Sequence, residues 1–381
     1  VNVPETESRF QLPTYKKLPL VLEKGEGVYV FDAEGRRYLD LYGGHAVATT
    51  GHSHTRIAEA IARQARQLIF YSNVVYSPAR AEAASRLLAT AGEPYHQVFF
   101  VNSGAEANEA ALRIARRASG RRKVVALEGS FHGRTLGAAS VTGLGKYRPA
   151  GPNPDVEFIP AGDSSAAERA IDNETAAVIL EPIQSMAGVR EPEPAYFTTL
   201  RQATKNAGAF LIFDEVQTGG GRVGSYLYSG LHGVSADLVT LAKGIASGVP
   251  MGAVLVTREV ASTVASGDLG STFGGGPLAS AALVATLEVL EGERIRARVE
   301  ETSAWLRKQL AAVPGVEEVR GRGLLLGLRL RRPAAEVQKA LLDQRIITGT
   351  SDDPAVLRLL PPLTLQVDEV RVLVDVLPSV L

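Results

Sequence analysis

The sequence predicts an α/β fold, with a mostly parallel sheet covered by helices and a smaller α+β unit attached. Three observations predict it. First, seven short, continuous apolar runs crowd the middle of the chain: "QVFFVN" (97–102), "KVVALE" (123–128), "VEFIP" (156–160), "AAVILE" (176–181), "AFLIFDE" (209–215), "DLVTLA" (237–242) and "GAVLVT" (252–257). Strands covered on both faces read this way, because neither face meets water. Second, helical patterns lie between many of these runs, as in "PAYFTTLRQATKNAG" ahead of "AFLIFDE". Such alternation marks parallel strands joined by crossover helices. Third, the texture changes after residue 290, where charged helical stretches and short strands replace the apolar runs.

Taken in order, the N-terminal "GVYVFDAEGRRYLDLYGG" reads as a strand, a turn at Glu34-Gly35 and a second strand able to pair with the C-terminal unit. The seven apolar runs follow. Beyond them, "RIRARVEETSAWLRKQLAAVPG" is helical and leads into "VEEVRGRGLLLGLRL". A helix near 333–344, short strands and a final helix near 368–379 complete the chain. The expected division is a large α/β domain over 46–290, and a small α+β domain built from 1–45 and 291–381.

Composition narrows the function classes. The 381 residues are 45% hydrophobic and 22% charged, with zero formal net charge, so no basic footprint points to nucleic acid. No apolar run suggests a membrane span, and the polar "VNVPETESRFQLPTYKK" does not resemble a signal peptide. The expectation is a cytoplasmic enzyme. There are no cysteines, hence no thiolate metal site or cysteine nucleophile, and His52 and His54 have no further ligand pattern, so no metal is expected. Zero cysteines, two methionines and an excess of arginine over lysine fit selection against labile residues. Thermostability is a hypothesis that a melting temperature in the mesophile range would remove.

"FFVNSGAEANEAALRIAR" carries the first chemical signal. Ser103 and Glu106 form a capping-box pattern, and Ala107, Ala111, Ile114, Ala115 and Ala118 mark one helical face. Gly104 lets another group approach the backbone closely. Such a helix N-terminus suits a phosphate, although an ordinary well-capped helix is the plainer reading of this stretch alone. "GGGRVG" (219–224) matches a dinucleotide fingerprint by letter only: "DEVQT" separates it from the strand and "SYLYSGLHG" is a poor helix.

"AFLIFDEVQTG" puts Asp214 and Glu215 at the end of an apolar strand, where open α/β sheets line their ligand crevice. A salt bridge or loop cap is the plainer explanation of a carboxylate there. Lys243 follows the next strand-like run, in a chain with nine lysines against 32 arginines. If the two strands are parallel, both groups reach one crevice. A lysine in a low-dielectric site has a depressed pKa and becomes a usable nucleophile. A lysine, an acid and a phosphate cradle at Ser103-Gly104-Ala105 are the three things pyridoxal 5'-phosphate (PLP) requires of a protein.

At this point the sequence resembles the class III (ω-type) PLP-dependent aminotransferases of the acetylornithine/ornithine group, with the fold-type I architecture. The likeness covers nearly the whole chain. It rests on "YLDLYGGHAV", "GHSHTRIAEAI", "NSGAEANEAALRIAR", "FHGRT", "EPIQ", "LIFDEVQTGGGRVG", "LAKGIASGVPMGAVL", "GSTFGGGPLASAAL" and "LRLLPPL", in that order. The resemblance implies that Lys243 is the Schiff-base lysine and Asp214 the partner of the pyridine nitrogen. It implies that Val216 and Phe131 cover the two ring faces and Gln217 reaches the phenolic oxygen. Ser103, Gly104 and Ala105 would hold the phosphate, and His132, Glu181 and Ser271 would belong to the same cofactor site. Thr272 would contact the phosphate of a neighbouring subunit, which implies a homodimer with shared sites. Arg134 and Arg358 would take substrate carboxylates.

The chain departs from the family pattern at "EPIQSMAGV", where Met186 stands in place of the usual glutamate. In the family that glutamate pairs with the arginine matching Arg358. Two readings follow: another carboxylate substitutes, or the site has shifted toward less polar amines. Gly276 and Val223 are further departures, and His45 lines the substrate entrance or serves the fold. The expected function is ping-pong transfer of an amino group from the ω-amine of an ornithine-like donor to 2-oxoglutarate. The alternatives are an amine transaminase using simple primary amines with pyruvate, and a PLP mutase, racemase or decarboxylase on the same scaffold.

Overall fold

The structure is a computed structural model that describes residues 2–149, 151 and 153–381. In chain order, Leu22–Glu26, Tyr29–Asp32 and Arg37–Asp40 are strands β1 to β3. Tyr95–Val101, Lys123–Leu127, Val156–Ile159, Thr175–Leu180, Phe210–Asp214, Leu238–Leu241 and Gly252–Thr257 are β4 to β10. Val316–Arg322, Leu325–Leu330, Ile346–Ile347, Gly349–Thr350 and Val356–Leu359 are β11 to β15.

The seven predicted apolar runs are β4 to β10, and they form one sheet in the order β4-β10-β9-β8-β7-β5-β6. Strands β6, β5, β7, β8 and β9 are parallel neighbours, whereas β10 runs antiparallel to both β9 and β4. The reversal has a simple cause. The link from β9 to β10 is a short loop, and a parallel return needs a crossover of a dozen residues or more.

Continuous apolar strands are what this sheet requires. Every residue of β7 is buried. Val178 and Leu180 pack in one cluster with Phe197 and Leu200 of the helix Pro194–Ala207. Ala177 and Ile179 pack in another with Ala107, Ala111 and Ile114 of the helix Gly104–Ser119. Alternate side chains of one strand thus serve opposite faces, and both faces are dry.

In the C-terminal region β11 and β12 form an antiparallel hairpin, and β12 continues through β15 to β14. Helices Ile295–Ala311, Ala334–Asp343 and Val367–Val380 accompany it; the last two lie within a residue of their expected positions, and the first stops four residues short of the end of the stretch expected to be helical. The N-terminal strands join this region: β3 pairs with β13, and Val28, Leu39 and Leu41 share a core with Leu326, Leu328, Leu373 and Leu377. The glycine-rich "GGGRVG" is a joint between these regions. Its Arg222 is buried and donates to the carbonyls of Leu324 and Pro361. Among the described residues no helix is long and apolar enough to cross a membrane.

Because β4 is antiparallel to β10, it points the same way as β5, β7, β8 and β9. The C-terminal ends of all five lie along one edge. The helix Gly104–Ser119 and the loops that begin at Glu128, Glu181, Glu215 and Ala242 all leave from that edge.

Candidate active site

A cavity of about 410 Å³ lies at this edge, with Ser103, Asp214, Glu181, Lys243, Met186 and Arg358 on its walls. Its first wall is the helix N-terminus. Ser103 Oγ accepts a hydrogen bond from the Glu106 N–H at 3.2 Å, a cap worth about 1 kcal/mol. The second half of the predicted capping box is not formed. The Glu106 carboxylate accepts from the backbone and side chain of Asn102 at 2.8 and 2.9 Å, which ties the helix to the end of β4. The first N–H groups of a helix have no intrahelical partner, so Gly104 and Ala105 present donors and a positive dipole end to the cavity. A Cβ on Gly104 would stand 2.8 Å from Val216 Cγ1, so the group that approaches this glycine closely is Val216.

Asp214 ends β8 and is buried. Its Oδ2 accepts from Asn108 Nδ2 and is bonded to His132 Nδ1, each at 2.7 Å, and its Oδ1 accepts from the Val216 N–H at 3.0 Å. The carboxylate is therefore paired and oriented, as a buried charge must be. Asp214 lies beside Thr240 of β9 in the parallel register, and Thr240 Oγ1 donates to Asn108 Oδ1 at 2.7 Å.

Lys243 follows two residues after β9 and opens the 3-10 turn Lys243–Ala246. Its φ of 51° is left-handed, a conformation that costs a non-glycine residue on the order of 1 kcal/mol. The next residue is glycine for a packing reason: a Cβ on Gly244 would lie 1.7 Å from Thr49 Oγ1. Burial pushes the Lys243 ammonium pKa down, Asp214 and Glu181 oppose that, and Arg358 adds to it. Among the described residues no ion pair or hydrogen bond engages its Nζ. Glu181 ends the β7 run and accepts from the Phe131 N–H at 2.7 Å. Burial pushes its carboxyl up to about 7, against the favourable charge of His132.

The remaining expected site residues divide into three groups. Phe131, His132, Val216, Gln217 and His45 line the cavity, and His45 is exposed at its mouth. Burial lowers the His45 pKa, and Arg358, Lys243 and Arg134 reinforce the shift. Arg134 is not on the cavity wall. It sits exposed at the rim, with its guanidinium carbon 5.1, 5.8 and 6.0 Å from the rings of Tyr147, Tyr15 and Phe131. Ser271 and Thr272 lie outside the cavity of their own chain. Ser271 Oγ accepts from Asn102 Nδ2 at 3.2 Å and from the Gly274 N–H at 3.1 Å, and Thr272 is exposed.

Arg358 is 3% exposed. Its Nε donates to the Thr350 carbonyl at 2.7 Å, one terminal nitrogen to Ser185 Oγ at 3.1 Å and the other to Tyr42 Oη at 2.8 Å. All three partners are uncharged. This corrects the reading in which another carboxylate replaces the missing glutamate: no carboxylate of the described residues is in ion-pairing distance of Arg358. The two acids nearest in sequence are engaged elsewhere, Asp352 with Lys146 and Asp353 with Arg320 and Arg329 at 3.6 and 3.8 Å.

Asn108, Tyr42 and Ser185 are the site residues that the sequence did not single out. Asn108 carried a readable signal: it interrupts an alanine-rich buried face, and a buried amide demands a partner. Tyr42 and Ser185 carried none.

The chemistry of the donor set fits PLP. A helix N-terminus, a paired acid and a pKa-lowered lysine share one cavity, and Gln217 Oε1 is buried there without a hydrogen-bond partner.

The family model for class III aminotransferases matches residues 11–381. An acetylornithine aminotransferase of Methanosarcina acetivorans is 41% identical over 381 residues, covering 99% of this chain and 95% of the relative. One of Streptomyces coelicolor is 44% identical over 371 residues, covering 96% and 91%. The crystal structure of the ornithine aminotransferase from Toxoplasma gondii ME49 superposes with a TM-score of 0.93 at 32% identity, covering 99% of this chain and 94% of that one. Class III aminotransferases are PLP-dependent transferases of the fold-type I architecture, and this chain belongs to that family.

Proposed function

We propose that the protein transfers an amino group from the ω-amine of an ornithine-like donor, such as N-acetylornithine, to 2-oxoglutarate in two half-reactions. The observation that carries this reading is the shared cavity of Lys243 and Asp214, at the ends of adjacent parallel strands beside a helix N-terminus. The acetylornithine aminotransferases at about 40% identity support the donor class.

In this reading Ser103, Gly104 and Ala105 would hold the cofactor phosphate, and Gln217, Phe131 and Val216 would hold its ring. When bound, PLP supplies the electron sink that stabilises negative charge on the substrate carbon. The protein supplies the rest. Asp214 keeps a proton on the ring nitrogen, and Asn108 and His132 hold its carboxylate in place. Burial favours the neutral amine of Lys243, so its Nζ can accept a proton from the substrate carbon and return it. Arg134 has no hydrogen-bonded partner among the described residues, so its fork is open to a substrate carboxylate at the rim.

The chain works as a homodimer with shared sites in this reading. Exposed Leu68, Ile69, Tyr71, Val74 and Tyr76 form an apolar stretch beside Phe273, next to Thr272. A patch of this kind marks an interface. The division into a domain over 46–290 and one from both chain ends is supported by the shared core of Val28, Leu39 and Leu41 with the C-terminal region.

The test is a half-reaction. The PLP form is mixed separately with N-acetylornithine, ornithine and a neutral aryl-alkyl amine, without keto acid, and the cofactor absorbance is followed. Fast conversion by N-acetylornithine is expected; conversion by the neutral amine alone would overturn the donor assignment. Light scattering tests the dimer.

A further inference from the structure

Lys243 Nζ has no hydrogen-bonded or ionic partner among the described residues, so the backbone of the 3-10 turn Lys243–Ala246 decides where the amine stands. Two left-handed residues bracket that turn, Lys243 at φ 51° and Ser247 at φ 46°. Neither is glycine, so both conformations are strained and persist only where the surroundings over-determine them. The turn's own backbone bonds lie at the long end of the normal range: the Ile245 N–H donates to the Ala242 carbonyl at 3.3 Å and the Ser247 N–H to the Gly244 carbonyl at 3.2 Å. Contacts from outside the turn must hold it.

Ser247 Oγ supplies the attachment. It lies 2.9 Å from Thr50 Oγ1 and 3.1 Å from Thr286 Oγ1, in the helix Pro277–Gly292. A hydroxyl has one proton to give. Thr286 Oγ1 is 2.7 Å from the Ala282 carbonyl, which can only accept, so its proton goes there. Ser247 therefore donates to Thr286 and accepts from Thr50. The result is one directed chain from Thr50 through Ser247 and Thr286 to the Ala282 carbonyl, in which each bond polarises the next. Thr50 is 2% exposed and Thr286 is fully buried, so water does not compete for these hydroxyls. The residue before Thr50 reaches the other end of the same turn, because Thr49 Oγ1 occupies the space where a Cβ on Gly244 would fall. Two consecutive threonines thus grip the turn at both ends.

We propose that Thr50, Ser247 and Thr286 are positioning residues: their hydroxyl chain pins the far end of the Lys243 turn and so holds the reacting amine in place without touching it. The inference rests on the reading of Lys243 as the reacting amine and goes beyond it. A proton passes between heavy atoms about 2.6–3.2 Å apart, and a misplacement of about 1 Å can cost on the order of a hundredfold in rate. Loss of the pin lets Ser247 relax out of its left-handed conformation and loosens the turn. Asp214 and the helix N-terminus at Ser103 are held by other bonds, so the chemical step slows while binding does not change.

The experiment compares the native holoenzyme with Thr50→Val, which keeps the side-chain shape without the hydroxyl, and Thr50→Ser, which keeps the hydroxyl. The first readout is the half-reaction with N-acetylornithine, followed by cofactor absorbance without keto acid. Thr50→Val is expected to slow it roughly threefold to tenfold at saturation, the range for one hydrogen bond, with half-saturation unchanged. Thr50→Ser recovers most of the rate. The second readout needs no substrate: acetylation of Lys243 in the apoprotein is followed against pH by peptide mass spectrometry. Asp214, Glu181 and Arg358, the charged groups that act on this amine, are the same in every variant. A loosened turn lets water reach the amine, so the midpoint in Thr50→Val moves up toward the ordinary lysine value, and in Thr50→Ser it stays near the native one. Ser247→Gly guards against a folding defect. Glycine takes a left-handed φ without strain, so urea stability stays close to native while the half-reaction slows at least as much as in Thr50→Val. A native rate or a native midpoint in Thr50→Val would overturn the proposal; should that chain not fold, the same results in Ser247→Gly would do so. Equal losses in Thr50→Val and Thr50→Ser would also overturn it, because the contact would then be one of packing. Failure of the native holoenzyme to convert N-acetylornithine would instead overturn the proposed donor, and the acetylation midpoints would still decide the positioning role.

Discussion

Asn108→Ala tests how the site is held together. Asn108 is 1% exposed and Thr240 is fully buried. The amide donates to Asp214 Oδ2 and to the His132 carbonyl, and accepts from Thr240 Oγ1, each at 2.7 Å. Truncation removes a hydrogen bond to a charged acceptor, worth about 1.5–3 kcal/mol, and strands two neutral groups at about 1–3 kcal/mol each. Partial relaxation and non-additivity favour the low end, so the expected loss is about 3–4 kcal/mol. The assay is urea denaturation of the apoprotein, with native, Asn108→Ala, Thr240→Val and double-variant chains. Thr240→Val is expected to cost about 1 kcal/mol, because one acceptor lobe of Asn108 is left empty. The double variant should lose no more than Asn108→Ala, since both changes remove the same bond. A loss below about 1 kcal/mol for Asn108→Ala, or additive losses in the double variant, would refute the network. PLP retention on dialysis should fall in the same order, because Asp214 is the group being oriented.

Further predictions follow from single contacts. Lys243→Ala should abolish turnover while circular dichroism stays native, and substantial retained activity would remove the assignment. Gly244→Ala places a Cβ 1.7 Å from Thr49 Oγ1 and should cost about 1–3 kcal/mol as overpacking; Thr49→Ser should not rescue it, but Thr49→Gly should. Tyr15→Ala removes one of the three rings around Arg134. At about 0.5–1 kcal/mol for an exposed cation–π contact, the KM of a carboxylate-bearing donor should rise about twofold to fivefold; an unchanged KM would free Arg134 from the N-terminal segment. The Glu181 carboxyl is raised from 4.5 to about 7, so the folded state binds its proton more tightly than the unfolded state does. Its contribution to stability is complete below about 4.5 and is lost as pH rises through 7. Glu181→Gln should flatten the fall of apoprotein stability across that window; an unchanged slope would assign the fall to Glu215, whose carboxyl burial also raises to about 7.

Much of this was legible in the sequence. The seven apolar runs became the seven strands of one sheet, because strands covered on both faces need side chains that tolerate no water. Asp214 and Lys243 could be paired from their positions after consecutive strands, since parallel strands deliver their C-terminal ends to one edge. Ser103 could be placed as a cap because capping depends on neighbours three residues away. Other features were not legible. The Glu106 carboxylate chose Asn102 over Ser103, a matter of how β4 meets the helix. The sequence placed Arg134 with the substrate, but three rings from separate segments decided that it sits at the rim.

The sequence by itself determined what depends on local chemistry: strand and helix periods, the cap, the family motifs, and the missing acid at position 186. Only the tertiary structure decided what that missing acid means. Arg358 is held from 173 residues away by Ser185 and from 316 residues away by Tyr42, and the two acids nearest to it in sequence pair with other cations. No local pattern encodes such partners, because hydrogen bonds across that separation form only where packing brings distant segments together.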